Sequence, residues 1–166
     1  MNTKNLKIAL VIMMLSCVSA CSKLEVLLPR YSDNAIAAVH MIATDDVNQR
    51  SAVPVDIVFI FEEALVKELI QYKARKWFDE KAQFNLQYPG KFAIFSYEMV
   101  PVSQATLKPK DEKARFSIPY QKAFKVILYA NYLNESADYT VDLSPYTQAT
   151  VTLGNSKVVV VESAKR

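Results

Sequence analysis

The chain has 166 residues, 51% of them hydrophobic, and a formal charge of +3. Its two glycines, Gly90 and Gly154, cannot build a Gly-rich phosphate cradle or a dinucleotide fingerprint. Its one histidine, His40, cannot assemble a histidine-based metal cluster, and both cysteines, Cys17 and Cys21, fall near the N-terminus.

Lys4 and Lys7 form a short positive region, followed by an uncharged apolar run from Ile8 to Val18. That run has the length of a signal core and is too short to span a bilayer permanently. Val18-Ser19-Ala20-Cys21 then gives a lipobox pattern: a branched apolar residue, two small residues that fit an extended peptidase groove, and a thiol nucleophile. The pattern predicts a cleaved lipoprotein signal over residues 1–20 and a Cys21 bearing diacylglyceryl and N-acyl chains. Cys17 is a rival site behind the poorer box Met14-Leu15-Ser16, and an ordinary secretory cut near Ala20 is the alternative reading. Each buried methylene of an acyl chain contributes about 0.8 kcal/mol, so two or more chains hold the protein at a membrane. Ser22 follows Cys21, where lipoproteins kept in the inner membrane typically carry Asp. By resemblance to that sorting rule, the expected location is the periplasmic face of the outer membrane.

Cleavage after Ala20 leaves 146 of the 166 residues, enough for one domain with a substantial core. It also removes Lys4 and Lys7, taking the charge from +3 to +1. A nearly neutral domain gives no electrostatic reason to bind nucleic acid. No second long apolar stretch follows the signal core.

Residues 21–34 read as the lipidated cysteine and a tether, with Pro29 and the polar run Tyr31-Ser32-Asp33-Asn34. A single domain is expected over 35–166, and period-two alternation dominates it. Ala35 to Thr44 is a strand, with His40 as a structural imidazole inside it. Val55 to Phe61 is a stronger strand, apolar on both faces and therefore expected to be buried on both sides or covered by a helix. Glu62 to Lys81 reads as one helix whose stripe is Val66, Leu69, Ile70, Ala74, Trp77 and Phe78. Glu62 and Glu63 suit the positive end of its dipole, and Trp77-Phe78 should close the core under the sheet.

Tyr88-Pro89-Gly90 is a turn, and Lys91 to Met99 returns to a strand. The mixed charges between Val102 and Lys113 read as a solvated connection rather than a binding patch. Further strands are expected over Ala114 to Ile118, Phe124 to Tyr132 and Tyr139 to Leu143. Ala149 to Leu153 and Lys157 to Val161 form a hairpin around Gly154-Asn155, a pair that allows positive backbone φ. About eight short strands with one inserted helix predict a mainly β, antiparallel β-sandwich. The pairs Asp45-Asp46 and Glu62-Glu63 are adjacent in sequence and read as solvated charges. No nucleophile motif accompanies His40, so no enzyme, cofactor or small-molecule substrate is expected.

One segment carries a family resemblance. Ile42-Ala43-Thr44-Asp45-Asp46-Val47-Asn48-Gln49-Arg50-Ser51-Ala52-Val53-Pro54-Val55 runs from the end of a strand through a polar loop to a Pro-Val strand entry. This order resembles the outer-membrane lipoproteins of type VI secretion systems, the TssJ family. Tyr97-Glu98-Met99-Val100-Pro101 looks like that family's strand into a turn, and Phe124 to Tyr132 like its apolar strand ending in A-x-Y. Two features depart from the family pattern: the loop lacks the Gly often found before the Ser-x-Pro-Val entry, and Pro101 is followed by Val102 where Gly is common. The resemblance implies a transthyretin-like sandwich on the inner leaflet of the outer membrane. It also implies a TssM-like inner-membrane partner, bound through Asp45, Asp46, Val47, Asn48, Gln49, Arg50 and Ser51. On the residues alone this segment is either a binding loop held by a rigid scaffold or an ordinary solvated turn.

The expected role is thus a non-enzymatic structural lipoprotein of a trans-envelope secretion machine. A pilotin that escorts a secretin, using the 62–81 helix, or a periplasmic inhibitor are the alternatives. Replacing Cys21 by Ser should release the protein from membranes while the domain stays folded. Persistent membrane association in cell fractionation would count against a purely lipid anchor.

Overall fold

The computed structural model describes residues 34–134 and 139–165. The expected signal over 1–20, Cys21, Ser22 and the tether as far as Asp33 lie outside the described residues. Residues Tyr31–Arg166 cluster as one compact unit. Eight strands follow in chain order: β1 (Ala38–Ala43), β2 (Val53–Ile60), β3 (Phe92–Met99), β4 (Gln104–Leu107), β5 (Lys125–Ala130), β6 (Thr140–Asp142), β7 (Tyr146–Leu153) and β8 (Val158–Lys165). They form two four-stranded sheets, β4-β1-β7-β8 and β3-β2-β5-β6. The expected mainly β sandwich is thus present. All pairings are antiparallel except β1 with β7, which run parallel from Ala38↔Gln148 to Ala43↔Leu153.

Alternation decides which side chains meet between the sheets. Val39 and Met41 on β1, and Ala149 and Val151 on β7, are buried. In the other sheet Ile57 lies opposite both Phe95 and Leu128, and all three are buried. The strand β2 is buried on both faces except at Pro54, as its unbroken apolar run implies.

Two expectations about the strands need correction. The strand expected over Ala114 to Ile118 is a 3-10 turn, Lys113–Arg115, followed by extended chain. Its Phe116 packs edge-on against Phe59 and Phe61, so the alternation there serves a plug for the open side of the sandwich rather than a ladder. The strand that completes the count is β4, inside the segment read as a solvated connection; Thr106 and Leu107 pair with His40 and Val39. The hairpin expected around Gly154-Asn155 forms as β7–β8 without positive φ at Gly154, whereas Gly90 adopts it, at 73°, in the Tyr88-Pro89-Gly90 turn.

The single helix expected over 62–81 is two: α1 (Glu63–Leu69) and α2 (Ala74–Gln87). Neither glycine nor proline breaks it. The sheet takes up the carbonyls instead: Tyr129 donates its hydroxyl to the Leu69 carbonyl (2.7 Å), and Thr140 Oγ1 donates to that of Tyr72 (3.1 Å). With those carbonyls satisfied from outside, the chain folds back. Both helices can then lay an apolar edge on the sheet, where one straight rod would overrun it. Leu69 and Trp77 are fully buried, while Ile70, expected on the stripe, is 45% exposed.

Under α2 lies a buried carboxylate. Asp56 on β2 is fully buried; its Oδ2 accepts the Trp77 indole N–H and the Lys81 ammonium, each at 2.8 Å. The Trp77 ring stacks on Tyr129 with centroids 5.0 Å apart. Trp77→Ala should cost on the order of 3–5 kcal/mol, from lost packing and an under-paired carboxylate. Trp77→Phe keeps most of the packing and should cost about 1.5–3 kcal/mol for the lost charged hydrogen bond. Denaturant melts of both variants test the order; a Trp77→Phe loss near zero would mean that the hydrogen bond contributes little.

Candidate binding end of the sandwich

Strand β1 rises from the end where Asn34 enters to the end where the 44–52 loop begins. Its six residues cover roughly 20 Å at about 3.3 Å each. At the entry end, Asn34 donates its side-chain amide to the Tyr120 carbonyl (3.0 Å) and its Oδ1 accepts the Ile36 N–H (3.1 Å). At the opposite end three further segments gather: residues 100–103, 131–134 and the β7–β8 turn. The Val102 N–H donates to the Thr44 carbonyl and the Leu133 N–H donates to Asn48 Oδ1, which ties the first two to the loop.

The loop is a folded turn rather than a loose projection. Val47–Arg50 forms a single helical turn in which Asn48, Gln49 and Arg50 have φ of 45°, 59° and 61°. Left-handed conformation costs roughly 1–2 kcal/mol per ordinary residue, so the turn needs support. Asn48 supplies it. Buried to 2% exposure, it donates Nδ2 to the Ala52 carbonyl (2.8 Å) and accepts the Leu133 N–H at Oδ1 (2.7 Å). Asn155 Oδ1 accepts the Gln49 N–H at 3.1 Å, which locks the turn to the β7–β8 hairpin.

The seven residues of the expected binding loop therefore divide. Asp45, Asp46, Gln49 and Arg50 are exposed; Val47 and Asn48 are buried supports; Ser51 is half-buried. Asp46 accepts a hydrogen bond from Thr44 Oγ1 and lines a groove of about 450 Å³ with Asn155 and Lys157. Beneath, Tyr132 stacks on Tyr139 with centroids 4.0 Å apart. Burial, with Tyr139 and Asp46 nearby, raises the Tyr132 hydroxyl well above its ordinary value, which keeps it neutral.

Residues outside the expected loop share this end. Val102 is 74% exposed and Leu133 58% exposed, so apolar surface flanks the charges. Val102 has φ of 64°, an outlier for a β-branched residue. Among the described residues, every non-glycine with positive φ lies at this end.

Elsewhere, His40 Nδ1 and Thr106 Oγ1 are hydrogen-bonded at 2.8 Å across β1 and β4. Among the described residues no three His, Cys, Asp or Glu side chains group so as to hold a metal ion. The geometry of this end suits macromolecular contact: a stiff turn, four polar side chains and adjoining apolar ones.

Val102→Gly and Arg50→Gly should each stabilise the fold by on the order of 1 kcal/mol, because strain is relieved with little packing lost. Asn48→Ala should cost about 1–3 kcal/mol. Thermal melts check both; a lower melting temperature for Val102→Gly would mean the side chain packs usefully where it stands.

No family model matches the sequence, and no curated protein matches it either. Solved structures do match. The type VI secretion lipoprotein TssJ1 from Pseudomonas aeruginosa superposes with a TM-score of 0.56 at 10% identity, over 78% of this chain and 96% of that one. Lip from Serratia marcescens, a membrane-bound component of the type VI secretion system, gives 0.51 at 12% identity, over 75% and 96%. This chain has the fold of these type VI secretion lipoproteins.

Proposed function

We propose that the protein is a structural lipoprotein of a type VI secretion-like trans-envelope machine. It is held by acylated Cys21 on the periplasmic face of the outer membrane. There it binds the periplasmic part of a TssM-like inner-membrane protein through Asp45, Asp46, Gln49 and Arg50. One observation carries this reading: β1 sets the rigid 44–52 turn at the end of the sandwich opposite the entry of Asn34. A protein tethered by its N-terminus thereby offers that turn away from its own membrane, toward a partner crossing the periplasm. The shared fold with type VI secretion lipoproteins supports the assignment, and the rigidity of the turn limits the ordering cost of binding.

The test is capture from solubilised envelopes with the chain from Ser22 onward, either wild type or with Asp45 and Asp46 changed to Lys. The wild type should retain one large inner-membrane protein, and the variant should lose it at least tenfold, roughly 1.4 kcal/mol or more, with an unchanged melting temperature. Retention of a secretin instead would support the pilotin reading. Loss of binding together with loss of stability would make the turn structural only.

A further inference from the structure

The end of the sandwich opposite the binding turn has a chemistry of its own. From Lys108 to Lys125 the chain carries six basic residues and two acidic ones, a net of +4. From Cys21 onward the net is only +1, so everything outside this stretch sums to −3. In sequence the stretch looks like mixed, solvated charge. The fold changes that, because β4 descends to the entry end and β5 starts there, placing the whole connection at one pole. Asn34 anchors to it directly through the Tyr120 carbonyl.

Within the connection, Arg115 lies near Glu112 at 3.8 Å and Lys125 pairs with Asp142 at 2.6 Å. Lys108, Lys110 and Lys113 are exposed. Beside Lys113 opens a groove of about 360 Å³ whose floor is Phe116, Pro119 and Tyr120. The Lys113 ammonium beside an aromatic lining, with exposed Lys108 and Lys110 in the same connection, matches the layered chemistry of a phospholipid interface, with phosphate outermost and apolar chains below.

We propose that this basic end rests on an anionic phospholipid surface. Lys108, Lys110 and Lys113 face headgroup phosphates, and the Phe116–Tyr120 groove takes up the interfacial layer. Thirteen steps along the chain separate Cys21 from Asn34, a reach of at most roughly 47 Å when fully extended. An acylated Cys21 thus keeps the basic end close to the bilayer and raises its effective concentration there. Contact then fixes which way the domain stands, with the 44–52 turn outermost.

The orientation rests on the lipid-anchor reading, but the test does not. The chain from Ser22 onward, which contains the whole compact unit, is sedimented with phosphatidylcholine vesicles made with or without phosphatidylglycerol. Wild type should partition onto the anionic vesicles only and come off at high salt, where the Debye length shrinks to a few ångströms. Lys108→Glu, Lys110→Glu and Lys113→Glu together should lower partitioning by roughly tenfold or more. The three Gln substitutions should give an intermediate loss, and melting temperatures should be unchanged. Equal binding to neutral and anionic vesicles, no binding by wild type, or full binding by the Glu variant would overturn the proposal. Vesicle binding without capture of an inner-membrane protein would defeat only the function proposed above. Capture without vesicle binding would defeat only this inference.

Discussion

A carboxylate buried in the middle of an apolar strand is the constraint around which the rest of this fold is arranged. Transferring Asp56 from water is costly unless its charge is paired and hydrogen-bonded, and β2 offers neither. Trp77 and Lys81, one turn apart on α2, supply both. They can reach Asp56 only if α2 lies flat on the outer face of β2 and β5. That contact holds the helix on the sheet, and the break at residues 70–73, where Tyr129 and Thr140 take up the Leu69 and Tyr72 carbonyls, lets it lie there. Tyr129, opposite Asp56 on β5, then closes the arrangement by stacking on Trp77 and capping α1 at Leu69.

With its second face covered, β2 becomes a rigid beam buried on both sides, and the turn that precedes it inherits that rigidity. Val53 is fixed in the sheet and Ala43 ends β1 in the other, so the 44–52 turn bridges two sheets over a short span. Three consecutive left-handed residues are the geometric consequence. Asn48 makes them tolerable by satisfying the backbone at Ala52 and Leu133. Val102 adopts the same conformation in the neighbouring turn. Strain at this end is therefore held by the scaffold around it, as is common where a surface must keep one shape for a partner.

The two poles of the sandwich divide the work of the proposed function. One is basic, aromatic and adjacent to the entry of the chain; the other carries the stiff turn with its mixed polar and apolar rim. Strand β1 joins them directly. A protein bound to a membrane at one end and to a partner at the other needs this separation, since a shared surface would set the two attachments in competition.

Much of the architecture was legible as sequence because it follows from short-range periodicity. The alternation in Val55 to Phe61 and Lys91 to Met99 predicts strands, and the continuous apolar run of β2 predicts cover on both faces. The lipobox is likewise a local pattern, and so is the family order from Ile42 to Val55. The left-handed backbone at Arg50 and Val102 is not legible in their residue types. Four things depended on tertiary structure. Phe116 is a plug and Leu107 a ladder residue because the sheet has an open side at one and a partner at the other; alternation is the same in both. The helix breaks at residues 70–73 because side chains of the sheet take its carbonyls, an interaction between residues about 60 to 70 positions apart. Of the seven loop residues, Val47 and Asn48 turn inward because distant Leu133 and Asn155 meet the turn. The scattered lysines of the 108–125 stretch become one basic pole only when β4 and β5 bring its two ends to the same side of the sandwich.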